Sequence, residues 1–310
     1  MRRAAVVLAL ALMASGGLAV LSNAADAETQ RPLRVVTFNL LHGGAASGLV
    51  GDGDALEARL SLTTEGLREL GADVIALQEA SVSRGRGNVA RRLADALGMH
   101  YVHAPATSRV FPIPFVNRII VTAMNFAEGP AVLSRFPIVD SEVYDLPRCA
   151  KRLDPRVLLR VEIDTPWGQL AVFSTHTSRD DCQVARVAEV VRARAAKGPA
   201  VLMGDFNTAE SAPAITALNG PGGFVDAFRA ANVTAPGLTV WQRPWAAEPT
   251  VHRRVDYIFV AGLSSTPPVA CASRVVLDRP RLDGNGRTLW PSDHYGVLAE
   301  LNLFGIKCAP

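Results

Sequence analysis

Carboxylates, carboxamides and imidazoles stand at the ends of apolar, strand-like runs throughout this chain: Asn39, Glu79, Glu128, His176, Asp205, Asn207, Asp256, Asp293 and His294. In Val201-Leu202-Met203-Gly204-Asp205-Phe206-Asn207 an apolar run ends at a glycine and then offers two polar side chains with one apolar residue between them. Strand side chains alternate, so Asp205 and Asn207 share a face. The set holds no cysteine and only two histidines, which suits a hard, oxygen-seeking cation better than zinc: Mg²⁺, with Mn²⁺ or Ca²⁺ as alternatives. Such an ion needs only one or two protein carboxylates when substrate phosphate and water complete its shell. A phosphate ester further needs donors around its oxygens and a base to deprotonate water, roles open to His, Asn and Asp. Singly, each residue has an ordinary reading: Asn39 a turn, Glu79 a surface carboxylate, His176 a partly exposed ring, Asp256 a strand cap. Asp293-His294, an acid next to a histidine ahead of an apolar strand, is the least ordinary pair.

The elements that must position these groups follow from periodicity. Leu33–Asn39 and Asp73–Leu77 read as strands, the second with Gln78-Glu79 at its end; between them Leu56, Leu60, Thr63, Leu67 and Leu70 recur at helical spacing up to Gly71. A second helix is expected over Asn88–Leu97, then a long irregular stretch, His103–Ala127. Glu128-Gly129-Pro130 introduces the strand Ala131–Arg135, and Val157–Ile163 with Gln169–Thr175 forms a hairpin ending at His176. A helix is expected over Cys182–Ala195 and a short one over Ala212–Leu218, then loop from Gly220 to Pro249. The chain closes with strands Arg254–Val260, Ser273–Leu277 and Tyr295–Phe304, the last two separated by the polar loop Asp278–Trp290. Strands separated by helices and hairpins predict an α/β (α+β) fold: two mixed sheets packed face to face with helices outside.

Thr37-Phe38-Asn39, Gln78-Glu79, Glu128 to Arg135, Ser174-Thr175-His176, Gly204-Asp205-Phe206-Asn207, Val255-Asp256-Tyr257-Ile258 and Ser292-Asp293-His294 together resemble the motifs of the endonuclease/exonuclease/phosphatase superfamily, whose members include deoxyribonucleases, neutral sphingomyelinases and inositol polyphosphate 5-phosphatases. The resemblance runs in order from Leu33 to Leu303. It implies a four-layer α/β sandwich with the site at one mouth of the paired sheets. It also implies that Glu79 holds a metal ion with help from Asn39, while Asp293 ligates it or orients His294. Asp205 would position or deprotonate the attacking water, His176 and Asn207 would bind phosphate oxygens, and Asp256 and Glu128 would fix the histidines. Whether Asp205 or His294 removes the proton stays open. Pro130 departs from the pattern, since it removes a backbone donor where many relatives have Asn or a small apolar residue.

Composition bounds the rest. With 310 residues, 49% hydrophobic and 20% charged, the chain has enough apolar material for one large core. Arg2-Arg3, the apolar run Ala4–Leu21 and Ala25-Asp26-Ala27 have the layout of a secretory signal over residues 1–27, with the enzyme domain over 28–310. An uncleaved anchor is the competing reading, weakened by Ser15-Gly16-Gly17. Export makes the cysteines readable as disulfides, Cys149 with Cys182 across the hairpin and Cys271 with Cys308 at neighbouring terminal strands. The formal charge of +3, about +2 without Arg2, Arg3 and Asp26, does not by itself imply nucleic acid. Loop residues keep ordinary readings: His42 satisfied by backbone, Arg156 and His252-Arg253-Arg254 solvated, and Phe111, Phe115, Trp241 and Trp245 packed inward rather than forming a rim for lipid or bases.

The expected protein is therefore a secreted, monomeric, metal-dependent phosphoesterase without stable membrane insertion. Its substrate would be nucleic acid, phospholipid or a small phosphate ester; a catalytically silent binding module of the same fold is the reading from another class.

Overall fold

The computed structural model describes residues 31–41, 55–106, 113–149, 154–179, 181–219, 223–262, 269–304 and 308. The expected signal, His42 and Phe111 lie outside the described residues. One mixed sheet contains β1 (Leu33–Asn39), β2 (Val74–Ser83), β4 (His100–His103), β5 (Ala127–Ser134), β12 (Ala270–Val276) and β15 (Gly296–Leu301) in the order β12-β15-β1-β2-β5-β4, with the short β3 (Gly87–Asn88) on β2. The second contains β6 (Ile138–Asp145), β7 (Val157–Thr165), β8 (Gly168–His176), β9 (Ala200–Asp205), β10 (Val225–Asp226) and β11 (Asp256–Ala261) in the order β10-β11-β9-β8-β7-β6. Pairs β1–β2 and β8–β9 are parallel and the other pairs antiparallel.

Alternation divides each strand between two cores. Val35, Val74, Val132, Val161, Val172, Val201, Met203, Ile258 and Val297 meet between the sheets. Their neighbours Val36, Phe38, Ile75 and Leu298 turn outward onto helices α1 (Leu56–Leu70) and α2 (Val89–Leu97). Phe173, Leu202, Tyr257 and Phe259 turn outward onto α4 (Asp181–Ala195). The layers are thus helix, sheet, sheet, helix, as the sequence predicts. Both helices over the first sheet have legible ends: α1 stops at Gly71, φ 58°, and Asn88 caps α2 by accepting from the Arg91 amide.

Three stretches expected as loop contain elements. α3 (Pro114–Met124) occupies the irregular stretch. It starts with proline in its first turn, where the missing N–H costs nothing, and Asn117 is its one buried residue, so no apolar stripe announces it. β10, α6 (Ala227–Ala231) and the hairpin β13 (Arg281–Leu282) with β14 (Thr288–Leu289) are the additions in the other two stretches, each too short for periodicity to register. The short helix after β9 is α5 (Pro213–Asn219).

Both expected disulfides form, Cys149–Cys182 and Cys271–Cys308. The second closes a separation of 37 residues, for which chain-entropy reasoning gives about 4 kcal/mol. Replacing both Cys271 and Cys308 by serine is expected to lower the unfolding free energy by about that amount in urea denaturation. An unchanged midpoint and slope would remove any stabilising role. No helix among the described residues is long and apolar enough to cross a membrane.

Candidate functional site

The parity that builds the inter-sheet core also builds the site. In β1, Val35 and Thr37 point between the sheets and so does Asn39; in β9, Val201 and Met203 are followed on the same face by Asp205. Strand β8 ends at His176 and β11 begins at Asp256, and the ladders set both directly beside Asp205: His176 by the parallel β8–β9 register, Asp256 by the antiparallel β9–β11 register. Beneath this row Gln78 Nε2 donates to Thr37 Oγ1 at 3.2 Å and to Ser174 Oγ at 3.5 Å, a polar layer between the site and the apolar core.

Gly204 permits the β8–β9 register. A Cβ there would lie 2.1 Å from the Thr175 carbonyl oxygen, a backbone atom with no rotamer to yield. Gly204→Ala is therefore expected to cost upwards of about 2 kcal/mol of stability, measured by denaturant unfolding. A loss below 0.5 kcal/mol, within the range of ordinary surface substitutions, would show that the two strands have slack.

Glu79 reaches the site by a different route. It does not end its strand, because β2 continues to Ser83 through a bulge. The β2–β5 ladder leaves Leu77↔Ala131 and resumes at Ala80↔Gly129, so Gln78 and Glu79 together face Pro130. Proline offers no N–H to the ladder, which suits it to the partner position of a bulge. Glu79 takes φ 54°, a conformation that costs a residue with a side chain about 1–3 kcal/mol. That turn brings its carboxylate to 3.3 Å from Asn39 Nδ2.

The contacts join into one network across both sheets. Asn39 Nδ2 also donates to Asp205 Oδ2 at 3.0 Å, and the Asn207 amide donates to Asp205 Oδ1 at 2.7 Å. His176 Nε2 lies 3.4 Å from Asp205 Oδ2, and its Nδ1 lies 4.0 Å from Glu79 Oε1. Asn207, at φ 51°, directs Nδ2 to His176 Nε2 at 2.9 Å and to the Thr177 carbonyl at 2.9 Å. One amide hydrogen is thereby committed to the ring and the other to the Thr177 carbonyl. His294 Nδ1 meets Asp256 Oδ2 at 2.9 Å, and its Nε2 faces Asp205 Oδ2 at 3.7 Å. Asp256 thus orients His294, while Asp293 Oδ1 lies 3.3 Å from Ser292 Oγ.

Burial sets the protonation states. Asp205 is 1% exposed. Desolvation pushes its carboxyl up to about 7, against the pull of His294 and with a further push from Asp256. Burial alone would lower His294, but the facing carboxylates of Asp256 and Asp205 outweigh it and hold the ring well above the usual imidazole range. Asp293 is raised by desolvation and by the nearby Glu79 charge, against the pull of His294 and Arg59.

Of the residues named from sequence, Asn39, Glu79, His176, Asp205, Asn207, Asp256, Asp293 and His294 gather at this mouth. Glu128 differs. It lies inside β5 opposite Ser81, beyond the bulge, and the hydrogen bonds described at the two histidines come from Asn207 and Asp256. Two positioning residues received no role from the sequence reading. Arg59 of α1 is 1% exposed and donates to the carbonyls of Leu40 and Leu41 at 2.7 Å and of Pro291 at 3.3 Å. Ser292 Oγ donates to the Asn39 carbonyl at 2.7 Å and accepts from the His294 amide. Together they tie the end of β1 to the segment carrying Asp293 and His294. The signal for Arg59 was its place on the apolar face of α1, between Leu56 and Thr63.

Two sets of side chains fit a cation. Ligand atoms of Asp205, Asp256 and His294 lie within 4.8 Å of one another. The other set is Glu79 with Asp293, two carboxylates whose mutual repulsion a cation would relieve, beside the Asn39 carboxamide. In the first set the imidazole is already bonded to Asp256 and carries the balancing charge itself. The oxygen donors of the second set are the better match for a hard divalent ion.

A sequence profile of the Endonuclease/Exonuclease/phosphatase family matches residues 36–294. No curated protein gives a significant match. Among solved structures, an endonuclease/exonuclease/phosphatase family protein from Bacteroides thetaiotaomicron aligns with TM-score 0.63 at 19% identity, covering 87% of this chain and 97% of that one. A mannosyl-6-phosphatase from the same species aligns with TM-score 0.62 at 19% identity, covering 87% and 99%. Truncated TDP2 from Caenorhabditis elegans aligns with TM-score 0.60 at 17% identity, covering 86% and 96%. At these identities the structural likeness carries the fold alone.

Proposed function

Because this chain belongs to the endonuclease/exonuclease/phosphatase family, we propose that it is a secreted, divalent-metal-dependent phosphoesterase that hydrolyses phosphodiester or phosphomonoester bonds by in-line attack of water. The observation that carries the reading is Asp205: a buried carboxylate with its pKa raised to about 7, flanked by His176 at 3.4 Å and His294 at 3.7 Å. A general base works best when its pKa lies near the working pH. The two disulfides support an oxidising compartment, as does the expected signal over residues 1–27.

Asp205 accepts a proton from the water that attacks phosphorus, with Asn39 and the Asn207 amide fixing its oxygens. His294 is poorly placed to be that base, because Asp256 and Asp205 favour its protonated form. Its imidazolium instead faces the negative charge that grows on the phosphoryl oxygens as the P–O bond breaks and the leaving alkoxide takes a proton from solvent. Asn207 orients His176 beside the same oxygens. Glu79 and Asp293, with Asn39, would hold the ion. When bound, Mg²⁺ supplies positive charge against the phosphate and leaving oxygen.

The test is an assay of protein 28–310 against plasmid DNA, RNA, sphingomyelin, phosphatidylinositol phosphates and a chromogenic phosphodiester, each with Mg²⁺ and with EDTA. Metal-dependent release of product from at least one is expected. No turnover on any of them, or turnover that survives His294→Ala, would refute the reading.

A further inference from the structure

Next to the cluster around Asp205 stands a group of side chains that its chemistry leaves unused. Trp241 is 48% exposed, and the guanidinium carbons of Arg179 and Arg253 lie 5.5 and 5.4 Å from its ring centroid. The His252 ring stands edge-on to the indole at 6.5 Å. This group is wired to the site on several sides. Arg179 follows His176 by three residues and Arg253 precedes Asp256 by three. Val240 bridges both Arg253 and His294, and the Gln242 amide donates to the Asp293 carbonyl at 2.7 Å.

Two guanidiniums sharing one indole repel each other, and a fold normally answers such a pair with carboxylates. It does so elsewhere in this chain: Arg31, Arg92, Arg160, Arg229 and Arg254 each pair with an acidic side chain. Among the described residues no ion pair reaches Arg179 or Arg253, and the buried Nε of Arg253 has no hydrogen-bond partner. The tryptophan gathers the two cations without neutralising them. Paired forks of this kind match the oxygens of a phosphate.

We propose that Arg179 and Arg253, arrayed on Trp241 with His252 at the edge, bind a second phosphate of the substrate, next to the one hydrolysed. The inference rests on the phosphate-ester reading of the Asp205 site and narrows it to substrates with two neighbouring phosphates. The second phosphate comes either from the next linkage of a nucleic-acid strand or from a small bisphosphorylated molecule.

Calorimetric binding tests this without turnover, so it stands apart from the assay of catalysis. The probes are thymidine 5′-monophosphate, thymidine 3′,5′-bisphosphate and butane-1,3-diol bisphosphate. The bisphosphates are expected to bind the unaltered protein about 10- to 100-fold more tightly than the monophosphate, the range for hydrogen bonds to charged groups. That ratio is expected to collapse towards one in the Arg179→Gln/Arg253→Gln protein, and to shrink in Arg179→Ala alone, an exposed site where folding is safe. A preference for the thymidine bisphosphate over the diol compound supports the strand source; equal affinity for the two supports the small-molecule source. Equal affinity for mono- and bisphosphate in the unaltered protein, or a ratio that survives the double substitution, overturns the proposal.

Discussion

Asp205→Asn is expected to lower kcat by about 10³-fold, in the range for removal of a positioned general base. The amide keeps the size of the side chain and can still accept from Asn39 or from the Asn207 amide, so the loss isolates proton transfer from packing. The pH profile makes the assignment sharper. A base acts when deprotonated, and burial raises the Asp205 pKa to about 7, so the rate should climb as pH rises through about 7. It should fall again at alkaline pH, where His294, held well above the imidazole range chiefly by Asp256 against desolvation, loses its proton. The rising limb should also move to lower pH as the divalent ion is raised, because a cation near Asp205 favours the carboxylate. In Asp205→Asn the rising limb should vanish. A variant within tenfold of the unaltered rate, or one that keeps the limb, would return the role of base to His294.

Chelation is expected to abolish turnover and added Mg²⁺ to restore it, with Glu79→Gln raising the Mg²⁺ needed for half-maximal rate on the order of 100-fold. The glutamine preserves the length of the side chain and the Asn39 neighbourhood while removing the charge. Parallel titrations of Asp293→Asn and Asp256→Asn decide between the two cation sets. If the ion sits with Glu79, Asp293→Asn shifts the Mg²⁺ requirement and Asp256→Asn chiefly lowers kcat by releasing His294. The reverse pattern would place the ion among Asp205, Asp256 and His294. EDTA-resistant turnover would reject metal dependence altogether.

Much of this site was legible because two-residue alternation does two jobs at once. A run such as Val201 to Asp205 announces both a buried strand and the face on which its terminal carboxylate must lie. His176 and Asp256 follow the same logic. Glu79 was legible as a residue and not as a geometry. Its strand continues past it, and only the pairing partner, Pro130, shows that the backbone turns there. The feature that looked like a departure from the family pattern lies opposite the bulge that aims a proposed ligand. Helix α3 was hidden for another reason: Ile113 at its cap and Phe115 inside it are 57% and 70% exposed, so its apolar residues never make the inward stripe on which helix reading depends. Arg59 was passed over because a charged residue within an apolar face reads as noise until three backbone carbonyls are seen to need its donors.

The two sheets supply different halves of the proposed site. Asn39, Glu79, Asp293 and His294 belong to the first sheet and its flanking segments, while His176, Asp205, Asn207 and Asp256 belong to the second. The bonds from Asn39 to Asp205 and from His294 to Asp256 are seams between them. Neither sheet holds the proposed site alone, so any opening of the sandwich would separate the proposed base, donor and ligand together. Catalytic output is therefore a gauge of sheet-to-sheet docking. In a denaturant series, activity should disappear with the inter-sheet core rather than ahead of it, and a proteolytic fragment carrying one sheet should have no residual turnover to rescue.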